Sequence, residues 1–231
     1  MTKSLQGLDI DATLCISLNN REDRRASLLE SFSKSGLDIE FFLVDKDEED
    51  QQRGCYDSHR ACAQMILQRG YKRALILEDD CVLSCSPSHK TVAHINRFLN
   101  RNNPEIFYLG VLLGKIWLTW FPGIARCRGQ GMHAYIISAQ GCQTILSWEA
   151  YAGKGIDNLF SKRFKGYCAF PMMCFQSHEF STDIEIYRDN LGEKHTKAQK
   201  TRSDRENFHR QQKRKQYTSA LGNWYKTLLC Q

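Results

Sequence analysis

Short apolar runs recur along the first three-quarters of the chain, each bounded by charged or glycine-containing stretches. Thr13 to Leu18 (TLCISL) predicts a first strand, and the polar NNREDRR leads into a periodic segment, 26–35, that reads as a helix stopped by Gly36 at C′. Glu40 to Val44 (EFFLV) predicts a second strand, giving a βαβ opening. Asp45 to Arg53 reads as an acidic loop to Gly54, after which Asp57 or Ser58 caps a helix running to Arg69 and closed by Gly70. Ser86 and Pro87 supply a cap and an N1 proline for a helix to about Leu99, and Ile106 to Leu109 is a further strand. The order βαβαβαβ is that of an α/β domain with a mainly parallel central sheet. Trp117 to Tyr135, rich in aromatics, Gly and Pro, predicts a β-rich insertion. HAYIIS is then a strand, Ser138 caps a helix to about Ala150, and YCAFPMMCFQ is a short edge strand interrupted by Pro171.

The run from Arg73 to Leu83, RALILEDDCVL, is the most informative. Ala74 to Leu77 are continuously apolar with no 3.6 period, as in a parallel strand covered on both faces, and the run ends in Glu78, Asp79 and Asp80. Open α/β sheets bind ligands beyond the carboxyl ends of their strands. Three adjacent acids there repel one another unless a cation or donor neutralises them, and hard oxygen ligands suit Mg²⁺ or Mn²⁺ bridging a phosphorylated substrate. A solvated acidic turn is the alternative.

The remaining composition narrows the class. At 231 residues the chain suits one large domain or a domain with an extension. No apolar run approaches the roughly 18 residues of a membrane span, and the first residues lack a signal-peptide pattern, so a cytoplasmic protein is expected. Ten cysteines suggest a disulfide scaffold at first sight. Cys15, Cys62, Cys81, Cys142 and Cys174 lie among apolar residues and no CxxC occurs, which favours buried thiols in a reducing compartment; Cys81, Cys85 and His89 are the one local hint of zinc. Between Arg188 and Lys215 ten Lys or Arg face four Asp or Glu, an excess of six that equals the formal net charge of +6. The body, 1–187, is therefore near neutral. The basic extension, 188–231, is expected to be largely helical or mobile, and its charge suits solvent or the surface of an anionic membrane; nucleic acid finds no recognition fold to support it.

Several of these pieces together resemble glycosyltransferase family 25, which includes lipooligosaccharide and collagen galactosyltransferases. The resemblance spans about 13–185 and rests on ISLNNREDRR, on Gly54, Cys55, Ser58 and His59 of a Gly-Cys-x-x-Ser-His element, on Glu78–Asp80, on Tyr108–Gly110 (YLG), on His133–Ser138, on the isolated Asp157 and on QSHEFSTDI at 176–184. It departs from the family in the loop after Val44, which lacks the glycine of an Ala-x-Asp-Gly stretch, and in Ser-Thr-Asp-Ile at 181–184. The resemblance implies a GT-A-like fold, divalent-metal dependence (Mn²⁺ or Mg²⁺), inversion at the anomeric carbon and a UDP-sugar donor, UDP-galactose or UDP-glucose, with a glycan or protein as acceptor and lipopolysaccharide biosynthesis as one setting.

Roles follow from that chemistry. A metal held by carboxylates stabilises a leaving diphosphate as a Lewis acid. Asp80 is the expected metal ligand, Glu78 a second ligand or the residue that orients the donor, and Asp79 either a ligand or a structural acid; His178, Asp183 and His195 are candidates for a third ligand. Ser17 at the end of the first strand, and Asn19, Arg21 and Arg24, with Arg25, after it, lie where donor phosphates and base are expected, since guanidinium binds phosphate bidentately. Ser58 and His59 are expected to open a helix whose N–H groups favour anions. Asp157 is the first candidate for the general base and for a helix cap, and Asp183 the second. Gln176 is expected to bind a sugar hydroxyl, and Trp117, Trp120 and Phe121 to stack on an acceptor sugar or to pack. A metal-dependent phosphohydrolase and a catalytically silent nucleotide-sugar or glycan-binding module are the competing classes.

Overall fold

The computed structural model describes residues 5–84, 87–177, 210–211 and 213–223, without the side chain of Leu113. The chain runs β1 (Ala12–Leu18), α1 (Glu22–Phe32), β2 (Ile39–Val44), α2 (Gln51–Gln68), β3 (Arg73–Glu78), β4 (Cys81–Leu83), α3 (His89–Asn102) and β5 (Ile106–Gly110). It continues through β6 (Leu113–Leu118), β7 (Ile124–Gln130), β8 (Ala134–Ser138), α4 (Ala139–Leu146), α5 (Ile156–Arg163), β9 (Gly166–Ala169) and β10 (Cys174–Gln176). The main sheet has the order β2-β1-β3-β8-β5-β9-β7-β6. Its pairings make β1, β2, β3, β5, β6 and β9 co-directional and set β7 and β8 against them. The α/β class with a mainly parallel central sheet is thus as expected, with one reversal at its centre. β8, which returns from the β6–β7 excursion, lies antiparallel between β3 and β5.

Strand alternation divides the core in two. Ala74 and Ile76 of β3, Tyr135 and Ile137 of β8, and Ile106 and Tyr108 of β5 pack with Cys62 and Ile66 of α2, Ile145 of α4 and Phe160 of α5. Their neighbours Leu75 and Leu77, Ala134 and Ile136, and Phe107 and Leu109 pack on the other face against Leu28 of α1 and Ile95 and Leu99 of α3. A period of two on strands buried on both sides produces this three-layer stack, and explains the uninterrupted apolar runs. Cys15, Cys62, Cys81, Cys142 and Cys174 are buried free thiols within it, as expected. Gly110 is where β5 meets the chain entering β10: a Cβ there would collide with the carbonyl oxygen of Cys174 and with His133 Nε2.

Several predicted boundaries move. α1 starts at Glu22, so the basic turn is already helical. α2 begins at Gln51, capped by Asp50, whose carboxylate accepts from the N–H of Gln52 and Arg53; Asp57 and Ser58 are interior. Asp50 replaces the expected caps because an acidic side chain at the end of an extended residue satisfies two N–H groups at once. α3 is capped by Ser88 rather than Ser86, and α4 ends at Leu146, four residues early. The YCAFPMMCFQ segment becomes two strands: β9 in the main sheet and β10, which pairs antiparallel with β4 in a separate two-stranded sheet.

The described part of the basic extension includes a helix over 213–223. It lies at the β6 end of the sheet, where Ser219 Oγ accepts from Ile116 N at 3.1 Å and Asn223 Nδ2 donates to Ile116 O at 2.8 Å. Tyr217 meets Phe170 edge-on and Ala220 is buried. Among the described residues no helix is long and apolar enough to cross a membrane.

Candidate functional site

The carboxyl ends of β1, β2 and β3 open into a cleft of about 440 Å³. This is where an α/β sheet of this kind places ligands, and the volume suits a small molecule. Of the residues singled out in the sequence, Ser17, Arg24, Ser58, His59, Glu78, Asp79, Asp80, Asp157 and Gln176 line it.

The three consecutive acids part company by the same alternation that builds the core. Glu78 continues the side of Ala74 and Ile76, towards α2, and its Oε1 lies 3.4 Å from His59 Nε2. Asp79 continues the side of Leu75 and Leu77, towards α1. There its Oδ1 is 3.0 Å from Arg24 Nη1, and its Oδ2 accepts from Ser17 Oγ at 2.8 Å. Asp79 thereby ties α1 to the end of β1, with Arg24 as its ion-pair partner. Asp80 turns towards the small sheet. The β4–β10 register sets Gln176 opposite Cys81, so Gln176 Nε2 reaches Asp80 Oδ2 at 3.0 Å while Ser177 N donates to Asp80 O at 2.6 Å.

His59 is fully buried. Its Nδ1 lies 2.7 Å from the Tyr135 hydroxyl, and burial pushes its pKa down to about 4, so the ring is neutral at physiological pH. Tyr135, Phe160, Trp148 and Phe164 follow as a run of edge-on and tilted rings. This run fixes α5, and with it Asp157. The expected capping role of Asp157 is not observed: Gly155 is the N-cap, and Asp157 Oδ2 instead accepts from Gly131 N at 2.9 Å, pinning the β7–β8 turn to the cleft. Ser58 and His59 likewise do not open a helix, since Ser58 Oγ is used by the carbonyl of Gly54 one turn back.

Six carboxylates, Asp45, Asp47, Glu78, Asp79, Asp80 and Asp157, share the lining with two cationic side chains, Arg24 and Lys46. Arg24 is already paired, and Lys46 Nζ lies 3.0 Å from Glu48. Burial, then Asp80, Asp157 and Asp79, raise the Glu78 carboxyl well above the usual range. Burial also raises Asp157, against the pull of the N–H groups of Gly131 and Met132, and raises Asp79 against Arg24 and Ser17. Charge of this sign is stabilised by a cation, and Glu78, Asp80 and Asp157 offer the hard oxygen donors that suit Mn²⁺ or Mg²⁺.

Arg21 and Asn19 stand off the lining. Arg21 pairs with Asp23, and Asn19 Nδ2 donates to Asp45. Arg25 supports the β1 end by donating to Ser17 Oγ and the carbonyls of Leu18 and Asn19. Trp120 is fully exposed, whereas Phe121 packs on Phe98. His178, Asp183, His195 and Cys85 lie outside the described residues. Lining residues not singled out in the sequence include Asp45, Lys46, Asp47 and Gln51, all from the acidic loop and the first turn of α2. The Asp50 cap was the signal that would have brought them to the site.

No family model matches the chain, and no curated protein matches it. Among solved structures it is similar to A197 from STIV (11% identity, TM-score 0.46, 74% of this chain and 96% of that one). It is also similar to a glycosyltransferase involved in the glycosylation of the major capsid of PBCV-1 (11%, 0.42, 78% and 98%). A third likeness is to a UDP-glucose pyrophosphorylase complexed with UDP-glucose (11%, 0.40, 68% and 72%).

Proposed function

We propose that the protein is an inverting, divalent-metal-dependent hexosyltransferase that uses UDP-galactose or UDP-glucose and glycosylates a hydroxyl of a glycan or protein. The observation that carries this reading is the charge of the cleft. It has the size for a nucleotide-sugar, yet it is lined by six carboxylates with its buried guanidinium already paired. A diphosphate enters such a place together with a divalent cation. Asp80, oriented by Gln176, is the ligand assigned to that cation, with Glu78 and Asp157 as the other carboxylates in reach of its field. When bound, the metal supplies Lewis-acid stabilisation of the leaving diphosphate.

Asp157 is assigned as general base. Its raised carboxyl and its fixed Oδ2 suit proton abstraction from an acceptor hydroxyl, which attacks the anomeric carbon as the bond to the β-phosphate oxygen breaks. Asp183 keeps its place as the second candidate, and His178 as a further ligand. Lys46 and Gln51, at the β2 side of the cleft, are assigned to the nucleotide end of the donor. Membership of glycosyltransferase family 25 is the resemblance that agrees with these roles.

The test is UDP release from a panel of UDP-sugars with Mn²⁺, comparing the protein with Asp80→Ala and checking by circular dichroism that the variant is folded. Release from one or two donors, lost in the folded variant, is expected. Mn²⁺-dependent donor binding without turnover would replace the reading by a silent binding module. The absence of both donor binding and UDP release in the unaltered protein would overturn the reading.

A further inference from the structure

Cys55 and His59 stand one turn apart on α2, so their side chains share a face. Glu78 closes β3 on the pleat side that looks at that face. One ligand atom from each residue lies within 4.8 Å of the other two, and His59 Nε2 is 3.4 Å from Glu78 Oε1. With bonds of about 2.0–2.3 Å, the corners of a tetrahedral Zn²⁺ site are roughly 3.3–3.8 Å apart. The His59–Glu78 edge already has this length, and Cys55 Sγ needs to close by no more than about 1.5 Å, which a χ1 rotation covers.

The geometry points to a soft-cation site formed by Cys55 Sγ, His59 Nε2 and Glu78 Oε1, taking Zn²⁺ in preference to Mg²⁺ or Mn²⁺. Thiolate and imidazole select Zn²⁺, whereas the hard cation assigned to Asp80 prefers oxygen alone. The Tyr135 hydroxyl, 2.7 Å from His59 Nδ1, is the outer partner that a metal-bound histidine requires; the site uses the tautomer in which Nδ1–H donates to it. All three ligand residues line the cleft, so a fourth position opens onto it for water or a ligand. Binding forms one Zn–S, one Zn–N and one Zn–O bond and releases to solvent the Cys55 proton, together with the Glu78 proton wherever that raised carboxyl is still protonated, with no redox change. An ion there ties α2 to the end of β3.

The test needs no nucleotide, so its outcome is separate from that of UDP release. Co²⁺ is titrated into the full chain, and the near-ultraviolet thiolate-to-Co²⁺ band and the visible bands of tetrahedral Co²⁺ are followed, then competed with Zn²⁺. One Co²⁺ per chain with both sets of bands, displaced by Zn²⁺, is expected. Cys55→Ser should abolish the thiolate band, and Asp80→Asn should leave it. A band that survives in folded Cys55→Ser comes from another cysteine and overturns the site, as does the lack of any band in the unaltered protein. If Cys55→Ser does not fold, X-ray absorption of the Zn²⁺-loaded unaltered chain decides. One sulfur with nitrogen and oxygen neighbours supports the site; no sulfur, or more than one, refutes it.

Discussion

Removing one partner of the Arg24–Asp79 pair should destabilise the protein by about 3–5 kcal/mol. The side chains are 6% and 9% exposed, at 3.0 Å, and Ser17 holds the second carboxylate oxygen. At an effective dielectric of about 20, two unit charges this close attract by roughly 5 kcal/mol. Burial opposes that gain: it desolvates both groups, and it holds the Asp79 carboxyl above its usual range in spite of Arg24. The pair is thus worth little net, while a lone member is costly. Asp79→Asn leaves a buried guanidinium that cannot lose its proton, and should lower Tm by roughly 6–20 °C at about 2–4 °C per kcal/mol. Arg24→Met leaves a carboxylate that escapes by protonation, so its cost should be smaller near pH 5 and grow as pH rises. The double variant should recover much of the loss. Urea and thermal unfolding of all four proteins measure this cycle. Single variants within about 1 kcal/mol of the parent, or effects that add to within about 0.5 kcal/mol, would refute the assignment of Arg24 and Asp79 as a structural unit.

Three further outcomes are expected. Glu78 and Asp157 have raised carboxyls, so the stability they contribute is present below the unfolded-state pKa and is lost as pH rises through the folded value; Mg²⁺ should oppose that loss, and its increment in Tm should grow as pH rises above the ordinary carboxylate range. His59, lowered to about 4, contributes above about 6.5 and loses its contribution as pH falls, the opposite direction. An Mg²⁺ increment that shrinks as pH rises would count against a carboxylate-held cation. Gly54→Ala gains about 1 kcal/mol of helix propensity, but its Cβ would sit 2.9 Å from Asp47 Cβ and push the acidic loop off the cleft. Calorimetry should show UDP affinity falling by about tenfold with Tm little changed; unaltered affinity would remove that loop from the donor site. Asp157→Asn keeps an acceptor for Gly131 N but not a base. The expected result is a kcat lowered by about 10²–10⁴-fold at similar donor KM, and an unchanged kcat would pass the role to another residue.

The parts of the fold that could be read from the sequence are those in which one short segment determines its own environment. Ala74 to Leu77 had to be a buried strand, and Ser138 had to cap a helix, because neither depends on a distant partner. The direction of β8 was not legible: all five of its residues are buried, and full burial carries no mark of which way a strand runs. The start of α2 was misread because Gly54 looks like a stop, whereas it sits inside the helix to make room for Asp47. In the site, the acids and His59 were legible as chemistry, but their division of labour was not. Only the pleat of β3, taken with the helices on each face, sends Glu78 to His59 and Asp79 to Arg24. The pairing of the Arg24 guanidinium was not legible either, because its buried partner lies 55 residues away.

β6 is the last strand of the sheet, and such a strand is normally a template onto which a foreign chain can add. Here the helix over 213–223 meets it with side chains, Ser219 and Asn223 taking both backbone groups of Ile116. It acts as an end plate for the sheet. Its consequence is colloidal as much as structural: a chain cut short before residue 213 would retain the cleft but bare this seam, and should self-associate at concentrations where the full chain stays dispersed.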